Sequence, residues 1–383
     1  MGKNKKYVVI SGFTTTDNNR GTAALGYGSV TFLMEQGFLT DNMEIICFRF
    51  YKKFWKKKYH HCVTESIRQG GRDWKYTLYN TFELERILAV NFGILLPFTR
   101  FGRMMKKVRC VAAINGGDGF SDIYNTATFE MRLPMSKVAI GLKIPHIILP
   151  QTLGPFTDSN NYKTAAHILR NSESVFVRDD KFVSELRNLG VSYTITKDLS
   201  AYMQPEPWNI DIKKNAIGIN VSGLCYSNKF QSLSGQFENY PLLIDSIIKY
   251  FQGIGKTVYL IPHSYNYNTP EANNDDLVAC REAFNRLEDK QNIILVDRDM
   301  TSPQVKYVIS KMSFFVGTRM HANFAAIYTG VPLFGLAYSY KFAGAFNANG
   351  LDGEMQTTMI NNITPKDISN VVAKIKAYYE KKK

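Results

Sequence analysis

The stretch GTRMHANFAAIYTGVPLFGLAYSYKF, residues 317–342, decides how the chain is read. Ahead of it the run SFFV at 313–316 has the composition and length of a buried strand. That strand ends on Gly317, and Arg319 and His321 follow where an apolar helix should begin. A helix start turns free N–H groups and the positive end of a dipole outward, so the position suits an anion. Arg319 adds a planar fork for a carboxylate or phosphate, and His321 adds a group that moves protons near neutral pH. Gly330, Val331 and Pro332 then close the helix and open another buried strand. This is the layout of a site at the carboxyl end of a parallel strand. The plainer alternative is a surface arginine beside a core histidine.

Outward from this stretch, short β-branched runs alternate with helical segments along the whole chain. Strands are expected near residues 7–11, 44–48, 111–115, 146–150, 174–177 and 193–196, with helices around 22–36, 129–142, 162–171 and 181–189. A polar, proline-containing stretch at 204–211 reads as a linker. After it, strands are expected near 216–221, 257–262, 292–296, 313–316 and 331–336. The pattern predicts an α/β chain of two Rossmann-like domains facing across a cleft. The first covers 1–205 and the second 206–364, with a terminal helix and basic tail over 365–383. Residues 50–108 break the rhythm and read as an insertion. Within it the apolar run at 88–98, flanked by Arg86, Arg100 and Arg103, is expected to be buried in a core or interface rather than laid on a membrane surface.

A chain of 383 residues suits two such domains. No apolar run approaches the roughly 20 residues needed to span a bilayer, and the basic start leads into a strand too short for a signal-peptide core. A cytoplasmic location is therefore expected. The five cysteines are scattered and form no C-x-x-C pair, which predicts reduced thiols and no structural zinc. Much of the net charge of +14 is local: residues 49–58 mix six basic side chains with four aromatics and no acid. Lys52, Lys53, Trp55, Lys56, Lys57 and Lys58 make this a candidate patch for the face of an anionic membrane. Nucleic acid is the weaker reading, because no helix-turn-helix, RNP or KH pattern accompanies the patch. A solvated loop is the third.

Other chemistry-bearing residues fall at expected strand ends. The loop at 12–22 carries hydroxyls and amides able to hold a sugar or phosphate, but lacks both GxGxxG and a P-loop. The run NGGDGFSD at 115–122 lets a backbone approach a ligand, and Asp118 or Asp122 can accept a hydroxyl proton. Gln151, Arg178 and His263 each follow a strand, and Lys341 follows the last. Asp179 and Asp180 read as helix caps, as do Asp275 and Asp276. No HExxH pattern points to a metal. The set describes a cationic, proton-transferring pocket for a small anionic molecule.

In this order the motifs resemble the polysaccharide pyruvyl transferase family. The resemblance rests on the loop at 12–21, GGDGFSD at 116–122, PQTLGPF at 150–156, VRD at 177–179, IPH at 261–263, VGTRMHAN at 316–323, GVP at 330–332 and AYSYKF at 337–342. It implies a GT-B fold and transfer of a pyruvyl group from phosphoenolpyruvate to a sugar, without a cofactor or metal. It further implies that Arg319 binds the donor, that His321 holds the phosphate or supplies a proton, and that Arg178, Lys341 and Gln151 add donor contacts. Asp118 would receive the acceptor hydroxyl, with His263 as an alternative acid or base and Asp17, Asn18 and Asp122 around the acceptor. The expected acceptor is an undecaprenyl-linked sugar at the inner membrane face, in capsule or exopolysaccharide assembly, with no nucleic acid involved. Two rival readings are a GT-B glycosyltransferase or epimerase acting on a nucleotide sugar, and a non-catalytic basic binding protein.

Overall fold

Consecutive apolar residues such as Val8, Val9 and Ile10, all fully buried, can be covered only where a sheet carries helices on both faces. The computed structural model, which describes residues 5–52 and 62–382, has two sheets of this kind, each in its own compact unit. Met1–Thr14 and Leu25–Gln204 form the first unit; Thr15–Ala24 and Pro205–Lys383 form the second.

The first sheet contains β1 (Tyr7–Ser11), β2 (Glu44–Tyr51), β3 (Cys62–Gln69), β4 (Arg72–Phe82), β5 (Val108–Ala113), β6 (His146–Gln151), β7 (Ser174–Val177) and β8 (Thr194–Ile195). Their spatial order is β3-β4-β2-β1-β5-β6-β7-β8, parallel throughout except for the β3–β4 hairpin. The winding reverses between β1 and β5. In the second sheet β9 (Ile217–Asn220), β10 (Val258–Leu260), β11 (Ile293–Leu295), β12 (Phe314–Gly317), β13 (Leu333–Ala337) and β14 (Thr357–Met359) stand in the order β11-β10-β9-β12-β13-β14, all parallel. Here the winding reverses between β9 and β12. Ligands of doubly wound sheets sit beyond the carboxyl ends of the strands at such reversals.

Period-two alternation sorts the second core into two layers. Val258, Leu260, Phe314 and Val316 face one side, and Tyr259 and Phe315 face the other. The helix Pro365–Lys382 lays Ile368, Val371, Ile375 and Tyr378 on the first of these layers.

Three expectations are corrected here. The single helix expected over 129–142 is two, Thr126–Met131 and Pro134–Gly141, because Pro134 has no N–H to continue the first and takes the start of the second. The insertion expected over 50–108 adds strands to the first sheet, since among its described residues β4 pairs in parallel with β2 over seven residues and β3 folds back on β4. The apolar run at 88–98 is not buried: Phe92, Ile94 and Phe98 all face outward. Of the basic patch, Lys52 is exposed after β2, while Lys53, Trp55, Lys56, Lys57 and Lys58 lie outside the described residues. Among the described residues no helix is long and apolar enough to cross a membrane.

Candidate active site

In the second unit the carboxyl ends of β9, β10 and β12 converge on one carboxylate. Asp276, fully buried at the start of the helix Asp276–Arg286, accepts six hydrogen bonds. Its Oδ1 takes Arg319 Nε at 3.0 Å, Arg319 Nη2 at 2.7 Å and the Gly223 N–H at 2.9 Å. Its Oδ2 takes the N–H groups of His263 at 3.1 Å and Ser264 at 2.9 Å, and Asn220 Nδ2 at 3.3 Å. Asn220 then uses Oδ1 to accept the Arg319 N–H at 2.8 Å, which fixes the turn after β12. Arg319 Nη2 also donates to the Asn274 carbonyl and side-chain oxygens, at 2.9 and 2.8 Å. Burial alone would lower the Arg319 pKa, but the Asp276 carboxylate holds it above the ordinary value.

His321 stands in the first turn of the helix Met320–Ile327 and is half-buried. Its ring meets Phe324 edge-on at 5.6 Å between centroids. The ring also adjoins Gly21, where a Cβ would lie 2.5 Å from His321 Nδ1, so only glycine lets the imidazole lie there. Arg20 fixes the segment that carries Gly21. Its Nε donates to the Met300 carbonyl at 2.7 Å, its guanidinium lies over the Tyr265 ring at 4.4 Å, and its N–H donates to the His263 carbonyl at 3.1 Å. His263 itself is buried. Burial first, then the charges of His321, Arg319 and Arg20, push its pKa well below the ordinary histidine value, so it stays neutral.

The first unit has a second, separate cluster beyond β5, β6 and β7. Arg178 Nη1 donates to Asp198 at 2.6 Å and Nε to Thr152 Oγ1 at 3.0 Å. Burial would lower the Arg178 pKa, but Asp198 beside it raises it. Asp118 is partly exposed, and the Tyr124 hydroxyl lies 3.2 Å from each of its carboxylate oxygens. Arg132 stands over the Tyr124 ring at 5.6 Å and donates to the Asn115 carbonyl at 3.0 Å.

The second-unit reversal thus gathers Arg319, His321 and His263, and the first-unit reversal gathers Asp118 and Arg178. Two other expected contacts are corrected. Gln151 is fully buried and spends its amide on β5, accepting the Asn115 N–H at 2.9 Å and donating to the Ala113 carbonyl at 3.2 Å. Asp122 is a buried cap: it accepts the N–H groups of Thr157 at 3.0 and 2.9 Å and Asp158 at 2.9 Å, and Asn161 Nδ2 at 3.2 Å. Burial would raise its pKa, but these donors hold it low. Arg319 is not the open fork that its position in the sequence implies, because Asp276 and Asn274 already occupy Nε and Nη2. Asp17 accepts the Asn19 N–H at 2.8 Å, Asn18 is exposed, and Lys341 is exposed at the start of the helix Lys341–Asn347.

Sequence reasoning reached Asp276 only as a helix cap and passed over Asn220, Gly21 and Tyr124. Asn220 carried a usable signal, since a buried amide ending an apolar strand must find partners. Gly21 had none, because its partner His321 is distant in the chain, and Tyr124, six residues from Asp118, sits in a loop with no periodicity to mark it.

A sequence model described as polysaccharide pyruvyl transferase matches residues 19–340. No curated protein matches the chain. Among solved structures, the chain is similar to the UDP-GlcNAc 2-epimerase of Neisseria meningitidis bound to UDP-GlcNAc, at 14% identity and a TM-score of 0.52 over 99% of this chain and 93% of that one. It is also similar to the UDP-GlcNAc 2-epimerase of Methanocaldococcus jannaschii, at 10% identity and a TM-score of 0.53 over 97% and 92%. At these identities the likeness is one of fold, and the fold is that of the GT-B enzymes.

Proposed function

This chain belongs to the polysaccharide pyruvyl transferase family, and we propose that it moves the pyruvyl group of phosphoenolpyruvate onto a sugar of a lipid-linked polysaccharide precursor and closes a ketal. The observation that supports this reading best is His321, held against Gly21 in the first turn of a helix at a sheet reversal, beside an arginine locked in place by Asp276. An acid that must reach one carbon of a small anion needs this kind of restraint.

The chemistry balances without metal or cofactor. A proton delivered to the methylene carbon of phosphoenolpyruvate makes it a methyl group and leaves the adjacent carbon electron-poor. A sugar oxygen bonds to that carbon and gives up its proton. The carbon–oxygen bond to phosphate then breaks, with the electron pair leaving on phosphate. A second hydroxyl of the same sugar takes the vacated position and loses its proton, so the products are a ketal and inorganic phosphate. His321 supplies the first proton or holds the phosphate. Asp118, partly exposed and hydrogen-bonded by the Tyr124 hydroxyl, is the carboxylate that the family resemblance assigns to the acceptor hydroxyl. His263 acts as a neutral partner to His321 and not as a strong acid, because its pKa is depressed. The exposed Lys341 adds a screened contact for the anion. A lipid-linked acceptor would place the reaction at the cytoplasmic face of a membrane, in capsule or exopolysaccharide assembly.

The test is phosphate release from phosphoenolpyruvate with and without soluble sugar acceptors, comparing the wild type with His321→Ala. Loss of a general acid should lower acceptor-dependent release by about 10²–10⁴-fold while the melting temperature holds. No release with any acceptor, together with thermal stabilisation by a uridine diphosphate sugar and none by phosphoenolpyruvate, would transfer the assignment to nucleotide-sugar chemistry.

A further inference from the structure

The helix Glu83–Phe92 is packed the wrong way round for a core helix. Its buried residues are Glu85 and Ala89, while Leu84 is 46% exposed, Ile87 38% and Phe92 66%. The loop that follows adds Ile94 at 47% and Phe98 at 72%. Turning 100° per residue, Leu84, Ile87, Leu88 and Phe92 share the outward arc.

Nothing about this orientation is loose. Glu85 accepts hydrogen bonds from the Thr81 hydroxyl and from the Phe82 N–H, the latter at 3.5 Å, which caps the helix from its inner face. Ala89 lies against Gly141 of the helix Pro134–Gly141, so closely that a Cβ at Gly141 would stand 2.4 Å from the Ala89 carbonyl oxygen. A small residue on a small residue brings the two backbones together and leaves no room to roll the larger side chains inward. Beyond the helix, Thr99 Oγ1 accepts the Gly102 N–H at 3.0 Å and Arg103 Nη1 donates to the Phe98 carbonyl at 2.6 Å, so the outward loop is tied down as well.

Charge selects the occupant. On the helix and the loop after it the acids are Glu83, which is paired with Arg86, and Glu85, which is buried. Arg103 is exposed and bonded to the carbonyl of the exposed Phe98. Tyr51 pairs with Phe82 across β2 and β4, so the exposed Lys52 leaves the sheet next to the point where the helix begins. A second copy of the chain would set these cations against their own images, because a two-fold contact meets itself. Anionic headgroups would neutralise them while acyl chains received the apolar side chains.

We propose that Leu84, Ile87, Phe92, Ile94 and Phe98 form a wedge that seats the first unit in the interface of an anionic membrane, with Arg103 and Lys52 at headgroup level. The inference deepens the proposed function, on which it rests for the lipid-linked acceptor. It also gives the exposed run a use that neither sheet supplies. The wedge lies in the interface plane and is too short to span it.

The experiment is co-sedimentation of the full-length protein with vesicles of phosphatidylcholine alone or containing roughly one-third phosphatidylglycerol. Wild type should bind the anionic vesicles, and bind less at high salt. The variant Phe92→Ser/Phe98→Ser should lose about tenfold or more of that partitioning, while its melting temperature and its turnover of a soluble acceptor stay as in wild type. Failure of wild type to bind, binding equal on neutral and anionic vesicles, or equal binding by the variant would each overturn the proposal. So would a wild-type dimer that the variant dissociates, since the occupant would then be a second copy. Vesicle binding uses no phosphoenolpyruvate, so its failure and failure of pyruvyl transfer are read separately. Should the variant fail to fold, the lipid and salt dependence of the wild type still decides.

Discussion

Replacing Asp276 by Asn keeps the shape of the side chain and removes what holds the second-unit site together. The carboxylate faces donors on every side: Arg319 and the Gly223 N–H on one oxygen, and His263, Ser264 and Asn220 on the other. An amide can turn its one oxygen to only one of these groups, so its NH₂ must point at donors. The counter-charge of the Arg319 guanidinium is lost either way; if the oxygen stays with Arg319, the three bonds on the other side go as well, and if it turns, those from Arg319 and Gly223 go. Breaking a buried ion pair by removing one partner costs about 3–5 kcal/mol. For a unit of about 150–250 residues that is about 2–4 °C of melting temperature per kcal/mol, or roughly 6–20 °C. Scanning calorimetry of Asp276→Asn reads this directly. The double variant Asp276→Asn/Arg319→Met should melt above the single one, because the unpaired cation is gone. A single variant that melts within about 2 °C of wild type would refute the idea that this carboxylate is the centre of the site, and so would a double variant that is simply additive.

Gly21→Ala places a methyl group 2.5 Å from His321 Nδ1 and 2.6 Å from Cγ, so the imidazole must rotate away. Gly21 is the second residue of the helix Arg20–Glu35, where alanine is the better helix former by up to about 1 kcal/mol, so the melting temperature should hold while kcat falls by about 10–100-fold; an unchanged kcat would mean that the ring position is irrelevant to turnover. Acid sensitivity offers a test in the first unit. Burial lowers the His146 pKa to about 4. Between the ordinary histidine value and pH 4 the unfolded chain therefore binds a proton that the native state refuses. Stability is complete above about pH 6.5 and declines as pH falls, by about 1.4 kcal/mol per unit and about 3 kcal/mol in all. His263, depressed in the same direction, adds to the decline. In His146→Asn, whose amide can keep the bond to Ser172 Oγ, the melting temperature should fall less steeply over that range; parallel slopes would refute the assignment.

Much of the architecture can be read locally because it is written in period two. Val258, Tyr259 and Leu260 need cover on both faces, and only a helix-flanked parallel sheet provides it. His263 was legible because it follows directly on an apolar run, and His321 because it opens the helix that follows one. The β3–β4 hairpin carried a signal in Gly70 and Gly71, which take φ of 61° and 76° between two strands that pair out to Gln69 and Arg72. The outward helix was not legible. Leu84, Leu88 and Phe92 have the spacing of a core stripe, and the side that is buried depends on the contact between Ala89 and Gly141, 52 positions apart. Asp276 escaped for a similar reason, since its main partner Arg319 lies 43 residues on.

Each sheet also repeats one electrostatic device that changes how its arginine should be understood. After β7, Arg178 is held by Asp198, which is nearly buried; after β12, Arg319 is held by Asp276, which is wholly so. A guanidinium already paired with a carboxylate brings little net charge to a ligand. It brings direction, because its remaining N–H edge is fixed by the bonds on the others. Lysine could not replace either residue, since a point charge cannot hold two acceptors at set angles. Free cations bind an anion through their field and give way to salt, whereas a locked N–H edge, a helix start and a restrained imidazole bind it through geometry. A site built of such parts discriminates by where a charge sits and not by how much charge there is. The proposed pyruvyl transfer would need such discrimination, because in it one carbon of a small anion must meet one proton and one hydroxyl in turn.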